Sequence, residues 1–81
     1  MIKELENPIY LKLEHRGNVY YHVGERKDIN DDFDINTPYD EDIPQCIKDS
    51  CGFDSVLLLT KNQFLREMQR VADSNIKPVF I

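Results

Sequence analysis

Between Lys27 and Asp42 seven acids, Asp28, Asp31, Asp32, Asp34, Asp40, Glu41 and Asp42, fall among Ile29, Phe33, Ile35 and Tyr39. Carboxylates this dense suit two tasks, holding a hard cation or meeting a positive surface. For calcium, Asp28, Asn30, Asp32 and Asp34 alternate like the first, third, fifth and seventh positions of an EF-hand loop. The pattern then breaks. Phe33 stands where glycine makes the sharp turn, and Tyr39 where a bidentate glutamate closes the coordination shell.

Zinc chemistry would draw on Cys46, Cys51, His15 and His22, but four residues separate the cysteines and six the histidines, which matches no common zinc module. A redox dithiol wants C-x-x-C at a helix N-terminus, whereas Cys51 falls at the end of an expected helix. Gly17, Gly24 and Gly52 are scattered, so no phosphate-cradling loop forms. With no recognisable triad, no metal, cofactor or enzymatic activity is expected; a metal- or thiol-dependent enzyme would have to show bound zinc or thiol-sensitive turnover.

What remains is docking. The site expected from the sequence is the acidic segment itself: Asp28, Asp31, Asp32, Asp34, Asp40, Glu41 and Asp42 as the charged face, Phe33 and Tyr39 as apolar anchors. The plain alternative is a solvated loop that keeps the chain soluble.

Composition sets the bounds. The 81 residues leave room for one domain, 1–81, and a hydrophobic content of 41% with eight aromatics is enough for a core. A formal net charge of -5 and a pI near 4.8 repel a phosphate backbone, so direct nucleic-acid binding is not expected. Residues 1–10 alternate charged with apolar residues and show no secretory pattern. The longest purely apolar run, Val56 to Leu59, is far short of the roughly 20 residues a membrane span needs. A cytoplasmic location and free thiols at Cys46 and Cys51 are the corresponding expectations.

The elements that position the acidic segment follow from period and caps. Ile9, Leu11 and Leu13 alternate against Tyr10, Lys12 and Glu14, and Val19, Tyr21 and Val23 against Tyr20 and His22, the period of two half-buried strands. Placing both apolar sets on one face pairs Leu13 with Tyr21 and Leu11 with Val23 and leaves Arg16-Gly17-Asn18 as a three-residue loop. Tyr21 is then expected in the core, and Tyr10 and Tyr20 on the open face. Asp42-Ile43-Pro44-Gln45 reads as a capping box before a short helix, Ile43 to Ser50, that stops at Gly52.

Val56 to Leu59 reads as a buried strand, and Thr60-Lys61-Asn62-Gln63 as a second capping box. Phe64, Leu65, Met68, Val71 and Ala72 form the helical stripe behind it, with Glu67 among the residues facing away and Asn75 ending the helix. A last strand spans Ile76 to Ile81, with Pro78 at an edge. Strand, helix and strand describe a right-handed βαβ crossover with the two strands parallel. One long helix from Asp54 to Ser74 is the competing reading.

The expected architecture is α+β: an N-terminal β-hairpin, an acidic loop, a short helix and a βαβ unit, about four strands with two helices. The type is similar to small inhibitors and immunity-type proteins that phages and bacteria aim at basic enzyme surfaces, a similarity of type without a shared motif. The expected function is a small acidic protein-binding regulator or inhibitor that docks its acidic loop on the basic site of a nucleic-acid-processing partner, as a nucleic-acid mimic. The alternative is a scaffold or oligomerisation module, such as a homodimer, that uses the hairpin face around Tyr10 and Tyr20 or the edge beside the last strand.

Overall fold

Among the described residues, alternation, turns and caps build three strands and three α-helices in the order β1 (Pro8–His15), β2 (Asn18–Glu25), α1 (Arg26–Asp32), a 3-10 turn (Asp40–Asp42), α2 (Ile43–Cys51), β3 (Ser55–Leu59) and α3 (Lys61–Asp73). This is a computed structural model, and it describes residues 7–81. The N-terminal residues 1–6, on which the reading of the chain start largely rests, lie outside the described residues. The class is α+β, with one antiparallel sheet ordered β2-β1-β3.

The hairpin register differs by one residue from the expected one. Leu13 pairs with Tyr20 and Leu11 with His22, which leaves a two-residue turn at Arg16 and Gly17 with φ of 51° and 81°. Positive φ at both positions makes the turn whose twist matches antiparallel strands, and Gly17 takes it without strain. Arg16 accepts the less favourable conformation with its backbone N–H bound to the Asp54 carboxylate at 2.7 Å, while Asp54 N–H donates to the Glu14 carbonyl. The apolar sets of β1 and β2 therefore lie on opposite faces. That is stable because helices cover both faces, a condition the one-faced argument from alternation lacked.

One face is dry. Ile9, Leu11 and Leu13 of β1 and Val56 of β3 pack with Ile29, Phe33, Ile43 and Ile47 from α1, its C-cap and α2. Each fully buried aliphatic side chain here contributes about 1.5–3 kcal/mol. The stretch expected as a loop thus contains a two-turn helix: Ile29 and Phe33 are four residues apart and share its inward side. Seven residues are too few to reveal that period in the sequence. α2 ends at Gly52 as expected, but the Asp42 box does not form. Asp42 closes the 3-10 turn with φ -88° and ψ -13°, not the extended backbone from which an N-cap side chain reaches back.

α3 lies over the other face. Its Thr60–Gln63 capping box is fully made, and β3 followed by α3 replaces the single long helix considered from the sequence. The sheet-facing stripe is Phe64, Glu67, Met68 and Val71, whereas Leu65 and Ala72 are exposed. The fourth strand does not develop. Residues 76–81 run along the outer edge of β2 with a single parallel bridge, Tyr21 to Phe80, made by Tyr21 N–H to the Val79 carbonyl and Ile81 N–H to the Tyr21 carbonyl. Pro78 has no N–H to extend that ladder. β3 and this segment run parallel, as expected of a crossover, but β1 and β2 lie between them.

Candidate functional site

The acidic segment starts where β2 hands over to α1. Glu25 is the N-cap residue, Asp28 lies in the first helical turn where the dipole favours an anion, and Asp31 and Asp32 follow in the last turn. Asp34, next after the C-cap Phe33, has φ of 53°, a left-handed conformation that Asp tolerates. Beyond it the chain is held by side chains: Arg26 Nη2 and Asn30 Nδ2 both donate to the Thr37 carbonyl, at 2.6 and 3.2 Å, and the Thr37 hydroxyl accepts from Tyr39 N–H. Arg26 Nε donates to Asp40 at 2.6 Å, which ties the 3-10 turn to the start of α1. Tyr39 and the carboxylates around it are therefore presented by a fixed backbone.

All seven acids are solvent-exposed. Asp40 pairs with Arg26, and Asp32 approaches His22 Nε2 at 3.2 Å. Asp28, Asp31, Asp34, Glu41 and Asp42 make no ion pair among the described residues. Lys27, the segment's other base, turns to Glu25 at 3.1 Å, and that hydrogen bond raises the pKa of its ammonium. Residues 26–42 hold seven acids against two bases, a surplus equal to the net charge of the whole chain. The rest of the chain is balanced.

The two expected anchors separate. Tyr39 is 60% exposed and stands beside Asp40, Glu41 and Asp42. Phe33 is 7% exposed and belongs to the core, so its assignment as a partner contact is corrected: the geometry of α1 turns it inward with Ile29. The hairpin tyrosines are also engaged within the chain. Tyr10 stacks on Phe64 at 4.9 Å between ring centroids, and Tyr20 packs against the dry core. Tyr21 is buried as expected, but on the α3 face.

The zinc quartet does not converge. His15 lies edge-on to Phe53, His22 sits against Phe33 at 4.8 Å, and Cys46 and Cys51 are free thiols on α2. The one-residue register difference brings His22 to the α1 side, where its Nδ1 meets the Ile81 carbonyl at 2.5 Å. Among the described residues no cluster of three or more His, Cys, Asp or Glu is placed to hold a metal ion, and no helix is long and apolar enough to cross a membrane.

A second polar cluster was not legible in the sequence. Glu67, on the inward side of α3, accepts at one oxygen from Lys12 Nζ at 2.9 Å, from the Tyr21 hydroxyl at 3.1 Å and from Arg70. Burial pushes the Glu67 carboxyl up, but the hydrogen bonds from Lys12, Arg70 and Tyr21 outweigh it and hold the pKa below its ordinary value. Burial, then the Glu67 carboxylate, push the Tyr21 hydroxyl up to about 12. The Lys12 position on a central strand was the one available signal, since a cation beneath a covering helix needs an acceptor. Three donors on one carboxylate oxygen clamp α3 to β1 and β2. Two depressions flank Arg70: one of about 330 Å³ beside Leu59, Gln63 and Arg66, and one of about 200 Å³ beside Tyr21, Val71, Ile76 and Lys77.

Comparison with protein-family models, with curated proteins and with solved structures gave no match.

Proposed function

We propose that this chain is a protein-binding regulator or inhibitor that sets the acidic ridge from Asp28 to Asp42 against a basic protein surface of the kind that holds a phosphate backbone. One observation carries the reading: the chain's entire charge surplus lies on one outward segment whose backbone is fixed, with five carboxylates unpaired among the described residues. Mutual repulsion among these groups does not stabilise the fold, so their concentration finds its use in attraction to a positive partner. Tyr39 supplies the exposed aromatic anchor that charge alone lacks.

The test compares the wild-type chain with a variant carrying Asp28→Asn, Asp31→Asn, Asp34→Asn, Glu41→Gln and Asp42→Asn. For a partner captured at low salt, the association rate should fall about 10- to 1,000-fold in the variant and also fall with added salt. Association indifferent to both changes would remove the proposal.

A second reading, a scaffold or oligomerisation module, draws on a separate observation. Ile76, Val79, Phe80 and Ile81 are each about half exposed along the outer edge of β2.

A further inference from the structure

The cavity of about 200 Å³ between β2 and α3 has an apolar lining from Tyr21, Val71, Ile76 and Pro78, with Arg70 and Lys77 as the cations beside it. A closed cavity of about 150 Å³ accommodates a benzene ring, so this one has room for a phenol side chain. Lys77 makes no ion pair among the described residues. The fitting occupant is an aromatic ring carried between carboxylates. Such a group exists on this chain: Tyr39, 60% exposed and followed by Asp40, Glu41 and Asp42.

It cannot serve its own molecule. Tyr39 is tied through Thr37 to α1 and through Asp42 N–H to the turn before α2, elements packed on the Leu11 face, whereas the cavity opens on the Tyr21 face beside α3. We propose that Tyr39 and its flanking carboxylates on one copy of this chain dock into the β2–α3 cavity of a second copy, in a head-to-tail contact steered by Arg70 and Lys77. The inference rests on the acidic ridge being a docking element and adds a second copy of the chain as a further surface that it meets. Because knob and socket lie on opposite faces of the sheet, the contact is heterologous, and each added copy leaves one knob and one socket free.

This geometry sets a complementation test on the full chain by sedimentation velocity. The knob variant carries Tyr39→Ala and Glu41→Lys; the socket variant carries Lys77→Glu. All three positions are exposed and outside the core, and Arg70 is left intact because it binds Glu67. Wild-type protein should gain mass with concentration beyond a dimer and return to monomer in high salt. Each variant alone should lose association by about 10-fold or more. Their equimolar mixture should recover it and stop at two copies, since the remaining knob and socket are both disabled.

A wild-type chain that stays monomeric at every concentration, variants that associate like wild type, or a mixture that does not recover would each overturn the proposal. A monomeric wild type that still captures a foreign basic partner in a ridge-dependent way would remove self-docking and leave the acidic-ridge reading standing. Loss of ridge-dependent capture as well would remove both.

Discussion

The two faces of the β2-β1-β3 sheet are covered by different means. On the Leu11 face, α1 and α2 bring Ile29, Phe33, Ile43 and Ile47 onto the sheet, where they form a buried apolar cluster with Ile9, Leu11, Leu13 and Val56. On the Tyr21 face a single helix and the C-terminal segment cover the sheet incompletely. The contacts there are rings at 4.9 to 6.4 Å, a three-donor clamp on Glu67 and side chains such as Leu57 that stay half exposed. The first face carries stability through burial, which needs no specific partner. The second is held by directional bonds and keeps a cavity, features suited to an interaction surface. The acidic segment belongs to the elements that cover the first face.

The largest effect that could break this contrast is a truncation series. Leu11→Ala should cost about 2–5 kcal/mol in urea unfolding, because the closed face can collapse only partly onto the void. Leu57→Ala, half exposed on the other face, should cost under about 1 kcal/mol. Equal costs would make the two faces energetically alike. Next, Glu67→Ala should cost about 1–3 kcal/mol, since it leaves Lys12 half-buried without its acceptor and frees the Tyr21 hydroxyl. A cost near zero would show that α3 is held by its rings alone.

The same clamp sets a pH window. Glu67 is more acidic in the folded chain than in the unfolded one, so its contribution is full above the ordinary carboxylate range and is lost as pH falls through the lowered value. Tyr21 has its pKa raised from 10.0 to about 12, so its contribution is full below 10 and is lost as pH rises toward 12. Ultraviolet titration should resolve the Tyr21 phenol ionising near 12, and the Glu67→Ala variant should bring that midpoint down. The smallest effect is expected at the ridge. Asp28→Asn with Asp31→Asn should leave unfolding stability within about 0.5 kcal/mol, or raise it slightly by relieving repulsion. A clear loss would mean that these carboxylates serve the fold.

Much of the architecture is local and was readable as such. The alternation of Pro8–His15 and of Asn18–Glu25, the Thr60–Gln63 box that starts α3, the stop at Gly52 and the edge placement of Pro78 depend on neighbours a few residues away. Within the acidic segment, exposure of the carboxylates followed from their type. Other features depend on what lies across the sheet. Which face each apolar set of the hairpin points to was decided by the presence of helices on both sides, and that set the register, sent His22 toward Asp32 and left a two-residue turn.

Phe33 and Tyr39 look alike in sequence, and only packing into the cluster that holds Leu11 and Ile47 makes one core and the other surface. Glu67 reads as an outward charge until Lys12 is found beneath its helix. Period and capping are properties of a segment, whereas burial, register and charge pairing are properties of the surfaces that segments form together.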